Sequence, residues 1–285
     1  MVESKRIKTL RGSLIRDIPK FPNNRETKEA MESMPLGTLL VHYLNWISRY
    51  VANKPRAVVV EPSVKKDVRW KHLNSAIEGF FEKVRSGEDL TPYLSLRVHS
   101  KGYNLESSKT GPDVNRWSDK DLILNAMGFH HFHLGDGREI RGHVQRTSEV
   151  LFAAVTRDKF TALGIFDHSV FNFSVDKMTD ERSKLWKLFD SFRTGTLPPG
   201  TLVVSSPITS SGHPIHVVQT AGLYAREINQ IDLRLDQREY IERFYDKVDL
   251  KPPVNAKFEW KLEYSDLVLY EKELGHSFVV RQGFN

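Results

Sequence analysis

The chain has 285 residues, 39% hydrophobic and 27% charged, with 42 Lys+Arg against 36 Asp+Glu, a net charge of +6 and a pI near 9.3. That length supports one large domain or two modest ones, and the absence of cysteine excludes disulfides, thiolate metal sites and a cysteine nucleophile. No apolar run of about 18 residues exists, which excludes a transmembrane helix. The basic N-terminus lacks the apolar core of a signal peptide, so a cytoplasmic location is expected.

The first stretch, Lys5 to Lys20, carries Lys5, Arg6, Lys8, Arg11, Arg16 and Lys20 against a single Asp17. It reads either as an arm that touches phosphates or as a solvated basic tail. Residues 21–35 read as a linker or a short polar helix. From Leu36 the apolar positions recur with the 3.6-residue period of an amphipathic helix that stops before Pro55. A short apolar strand follows at 56–62, and 69–87 repeats the helical pattern and ends at Gly87. Residues 88–115 hold an expected strand at 94–99 and then a polar loop, the best internal boundary.

Beyond the loop, Ser118 and Asp121 resemble a capping box for a helix that Gly128 stops. A strand, 129–134, comes at once. Residues 149–156 and 160–167 read as an antiparallel hairpin, apolar on both faces and therefore central in a covered sheet. Then come a helix at 179–195 and a strand at 200–208. A further helix begins at Pro214, and another opens on Asp236 and Glu239. A final strand region alternates wet and dry over 257–264. The class is α+β, with a mostly antiparallel central sheet and packed helices. Residues 1–115 form a mainly helical N-terminal region, and 116–285 an α+β domain, separate or continuous with it.

The chemistry concentrates in GFHHFHLGDG, residues 128–137. On a strand, His131 and His133 share one face with Phe129, while His130 falls on the other. An H-x-H pair binds Zn or another divalent metal if further ligands join it, and His143, Asp167 and His168 are the candidates. The same imidazoles also suit metal-free acid–base work on phosphates. In that reading Arg138, Arg141, His143 and Arg146 grip the substrate. As a third reading, these are strand histidines hydrogen-bonded to backbone. A second constellation, Ser211, His213 and His216, sits where a helix begins, a place that favours anions. No G-x-S-x-G elbow, P-loop, H-E-x-x-H or zinc-finger spacing is present.

A helix, then HHFHLG, a basic connection, and an Arg-initiated hairpin, EVLFAAVTRDKFTALGIFDHSVF, resemble the sheet of RelE/ParE-type toxins over about residues 118–171. The resemblance implies a small sheet whose concave face carries basic and imidazole groups, used in many members to cleave mRNA. Arg146 and His168 match positions that such proteins often make basic. The leading expectation is an RNA-acting toxin or defence-type protein, a metal-independent ribonuclease using His131, His133, Arg146, Asp167 and His168 without a cofactor. A metal-dependent hydrolase or nuclease is the alternative enzyme. A non-catalytic module that docks a partner such as an antitoxin is the third reading. No membrane partner is expected.

Overall fold

A computed structural model describes residues 3–108, 117–135, 143–145, 147–172, 177–195, 197–198, 201, 208–246 and 250–284. In chain order these form α1 (Lys5–Asp17), α2 (Arg25–Ser33), α3 (Leu36–Ile47), β1 (Ala57–Val60), α4 (Pro62–Lys66), α5 (Trp70–Ser86) and α6 (Arg97–Ser100). After them come α7 (Leu122–Met127), β2 (Phe129–His133), β3 (Glu149–Val155), β4 (Lys159–Asp167), α8 (Asp180–Thr194), α9 (Ile215–Asp232) and α10 (Arg238–Asp246). β5 (Phe258–Glu263), β6 (Asp266–Glu271) and β7 (Ser277–Arg281) close the described chain. The class is α+β, and among the described residues no helix is long and apolar enough to cross a membrane.

The chain divides into two interleaved units. The first takes Met1–Ser48, His99–Lys120 and Ile208–Phe284; the second takes Arg49–Val98 and Asp121–Pro207. Each therefore draws on residues from both sides of the 115/116 boundary.

In the first unit the basic N-terminal stretch is a helix, not an arm or a tail. Ser4 caps α1 by accepting from the Ile7 N–H, and Ile7, Leu10, Leu14 and Ile15 make its buried stripe. Arg6 is spent inside the unit: its guanidinium donates to Asp232 and Asp236, each at 2.8 Å. Asp236, read as part of a helix cap, thus serves as an ion-pair partner. α3 packs on α9, and β5, β6 and β7 form an antiparallel sheet in that order.

In the second unit a four-stranded sheet runs β1-β4-β3-β2. β2–β3 and β3–β4 are antiparallel as expected, whereas β1 lies parallel to β4, so the sheet is mixed. A long connection through α4 and α5 follows β1, giving the chain the length that parallel neighbours need. Both faces are covered, which is why β3 and β4 are apolar on both sides. One face packs Phe132, Leu151, Phe160 and Ile165 against Ile77, Phe80 and Phe81 of α5. The other packs Phe129, Val150, Phe152 and Phe166 against α7 and α8 through Ile123, Met127, Leu185 and Phe189.

Two local expectations change. The strand expected over 94–99 is absent, since Thr91–Tyr93 form a 3₁₀ turn and Arg97–Ser100 a helical one. Leu94 and Val98 are buried together one helical turn apart, a spacing that shares a helix face as it would a strand face. The cap of α7 is Asp121, whose carboxylate accepts from the Leu124 N–H, rather than Ser118. The strand expected at 200–208 lies almost wholly outside the described residues.

Candidate active site

Among the described residues β2 ends the sheet order, and its pleat decides which histidines meet. Phe129 belongs to the α8-side core and Phe132 to the α5-side core. Alternation therefore puts His131 and His133 on the α8 side, and His130, stacked on Phe132, on the other. His133 pairs in register with Val150, and Val150 with Phe166. Just past Phe166 the chain leaves β4 in a 3₁₀ turn, His168–Phe171. That turn brings His168 across β3: its Nδ1 lies 2.8 Å from the Ser148 carbonyl oxygen. A carbonyl only accepts, so Nδ1 carries the proton and Nε2 is the basic nitrogen of the neutral ring.

The result is a closed circle of rings. His133 and His168 stack with centroids 5.6 Å apart and planes 24° from parallel. His131 lies 6.3 Å from His133 and 4.8 Å from Phe171, and Phe171 lies 5.9 Å from His168. His133 is buried and His168 exposed, so the set runs from the interior to solvent.

His131 has an acidic neighbour that sequence reading had only as a helix cap. Asp121 Oδ2 is 3.8 Å from His131 Nδ1, while Asp121 Oδ1 holds the N-terminus of α7. Beside the pair is a cavity of about 20 Å³ whose lining includes Arg49, Asp121, His130 and His131, the size of about one water. Burial lowers the His131 pKa below the ordinary imidazole value; Asp121 opposes the shift and His168 adds to it. At neutral pH His131 is thus held neutral, the form that takes a proton. Nothing in the spacing of Asp121 and His131 signals this contact, because it depends on how α7 lies against β2.

Asp167 is engaged at the head of the turn. Its carboxylate accepts from the Ser169 N–H at 2.8 Å and caps the 3₁₀ turn, which holds its pKa below the usual range. Its own N–H donates to Glu181. Glu181 in turn is gripped by Arg69 at 3.0 Å and Lys184 at 2.7 Å, and Arg69 also pairs with Asp67 and donates to the Ile165 carbonyl. This network anchors the turn that presents His168. His143 is buried in the connection between β2 and β3. Arg138, Arg141 and Arg146 lie outside the described residues. Among the described residues no group of three or more His, Asp or Glu is arranged to hold a metal ion.

The second constellation belongs to the first unit. Ser211 Oγ lies 3.0 Å from His213 Nδ1 and 2.8 Å from Thr209 Oγ1. Thr209 also receives the His213 N–H and donates its own to the His213 carbonyl. These bonds make a tight turn into α9, with Pro214 as its N-cap. Gly212 has φ +79°, and a Cβ there would meet the Trp117 ring at 2.1 Å, so only glycine fits. His213 is buried against His42, centroids 5.2 Å apart. His216 is exposed and packs on Phe284; the two do not converge.

His42 itself carries a pH prediction. Burial pushes its pKa down to about 4, with Asp119 opposing and Lys120 adding. Unfolded, the same group protonates near 6.5, so between those values protons favour the unfolded chain. Stability should fall by roughly 2 kcal/mol as pH drops from about 7 to about 5, and His42→Gln should flatten that dependence. Urea midpoints at the two pH values check it, and an equal pH dependence in the variant would refute it.

No protein-family model, curated protein or solved structure matches the chain.

Proposed function

We propose that this chain is a prokaryotic, cytoplasmic RNA-acting protein of toxin or defence type that cleaves RNA by acid–base chemistry without a metal. The observation that carries the reading is the circle of His131, His133, His168 and Phe171, in which three imidazoles run from the core to solvent. Helix α7 leading into the antiparallel run β2-β3-β4 supports the resemblance to RelE/ParE-type toxins, though the parallel β1 and the length of the chain go beyond it.

The chemistry asks for a base and an acid on either side of a phosphodiester. His131, neutral through burial, takes the proton of the ribose 2′-hydroxyl, directly or through His133. The O2′–P bond forms as the P–O5′ bond breaks, and an imidazolium at the exposed end, His168, returns a proton to the departing 5′-oxygen. Phe171 and Phe152 flank His131 and limit water around it. Arg138, Arg141 and Arg146 supply guanidinium groups that neutralise the phosphate.

The test is incubation of the purified full-length protein with single-stranded RNA in a buffer containing EDTA. Wild type should give products ending in a 2′,3′-cyclic phosphate and a 5′-hydroxyl, and His168→Ala should not. Intact RNA with wild type, or equal cutting by both proteins, overturns the reading. Cutting that appears only on adding a divalent metal replaces it with the metal-dependent one.

A further inference from the structure

The first unit contains a groove of about 680 Å³ between α1 and α2, far from neutral. Lys8, Arg11, Arg16, Lys20 and Lys28 line it against one acid, Glu32. We propose that this groove is a sequence-independent binding channel for the phosphates of an RNA strand. The assignment of RNA rests on the function proposed above; the groove itself is a separate feature.

The geometry separates structural cations from available ones. Arg11 is structural: it donates to the Glu32 and Met34 carbonyls at 2.7 Å and ties α1 to the end of α2. Lys20 donates to the Ile15 and Ile18 carbonyls, neutralising the C-terminal end of α1 that would otherwise repel an anion. Two of its three N–H groups are thereby used. Lys28 has only a loose, exposed pair with Glu32 at 3.7 Å, and Arg16 an exposed pair with Asp17; such pairs hold little. Lys8 is exposed and has no side-chain partner among the described residues. Burial, and then repulsion by Lys28, lower the Lys20 pKa, with Asp17 opposing.

Two further features give the ligand class. Lys8 and Arg16 are eight residues apart on one helix, about 12 Å along its axis, so the two cations meet different phosphates of a strand rather than one. The lining has no aromatic ring, so bases have nothing to stack on, and contact is with the backbone. Gly12 opens the floor. A Cβ there would meet nothing within 4 Å, so packing does not require glycine, although glycine inside a helix is unfavourable. A longer side chain at that position projects into the groove from an exposed site.

The experiment uses the full-length chain carrying His168→Ala, so that RNA stays intact, and follows anisotropy of a fluorescent single-stranded RNA from about 50 to about 200 mM KCl. Lys8→Glu combined with Lys28→Glu, and separately Gly12→Glu, should each weaken binding by roughly tenfold or more, with the salt slope of the double variant reduced by about one per lost contact. Gly12→Ala should bind like the parent. Inorganic tripolyphosphate should displace the RNA. Unchanged affinity and salt slope in both acidic variants, with unchanged melting temperatures, overturns the channel. Variants that lose tripolyphosphate but keep RNA overturn the assignment of RNA in favour of a free oligophosphate. Channel binding by a protein whose wild type leaves RNA intact refutes the catalytic reading alone, and cleavage with unaltered groove variants refutes the channel alone.

Discussion

His168→Ala and His133→Ala should each lower the rate of RNA cleavage by about 10²- to 10⁴-fold, the contribution of a positioned acid or base. The two rings stack on each other, so the double variant should lose little more than the worse single one, because groups that act as a unit are not additive. The pH profile adds a check that a packing defect would not reproduce. The base must be neutral, and burial already lowers the His131 pKa while Asp121 pulls it up. Asp121→Asn removes that pull, so the pKa falls further and the acid limb of the rate profile moves to lower pH. Asn retains an acceptor to cap α7, which keeps the helix in place. Single-turnover rates from about pH 5 to about pH 8, the range over which imidazoles titrate, measure the shift. An acid limb that stays put or moves up would remove His131 from the mechanism.

Arg69→Met should destabilise the protein by about 3 kcal/mol, because it leaves Asp67 without its cation, and Glu181 with Lys184 alone, in a largely covered site. For a chain of this size that is a fall of roughly 6–12 °C in melting temperature. Burial alone would raise both carboxyls; hydrogen bonds from Arg69, with Lys184 joining at Glu181, outweigh it and hold both below their ordinary values. Depressed carboxyls stabilise the fold above their unfolded pKa, and that stability is lost as pH falls through it into the folded range. The variant should therefore show a smaller loss between about pH 5 and about pH 3. Glu181→Gln should cost less, since its amide oxygen still accepts the Asp167 N–H. Because Glu181 holds the start of the His168 turn, Arg69→Met should also lower cleavage well below the unfolded temperature. A melting temperature within a degree of wild type would show the network to be dispensable.

Much of the local structure is readable in the sequence. The spacing of Ile77, Phe80, Phe81 and Val84 marks α5, and Gly87, at φ +75°, ends it as expected. The hairpin β3–β4, apolar on both faces, is central and covered on both sides. The pleat of β2 separates His130 from His131 and His133, as a period of two requires. The basic N-terminal stretch is where local reading was least informative. Its charges drew attention, whereas the stripe of Ile7, Leu10 and Leu14 that makes it a packed helix is diluted by them. Leu94 and Val98 misled for a related reason: two buried positions over five residues fit one helical turn as well as a strand.

The sequence by itself determined the α+β class, most helices, the strand hairpin and the shared face of His131 and His133. These follow from periodicities and caps that act within a few residues. Tertiary structure alone decided that His168 reaches over β3 to stack on His133, that Asp121 lies beside His131 and that Asp167 turns away to cap its own turn. It also decided that Arg6 is consumed by Asp232 and Asp236 while Lys8 and Lys28 face an open groove. The partners in these contacts lie between 10 and 230 residues apart, or compete with nearer ones. Which contact forms is settled by how β2, α7 and α8 pack on one sheet and α1 and α2 on another core, a choice no short window of sequence contains.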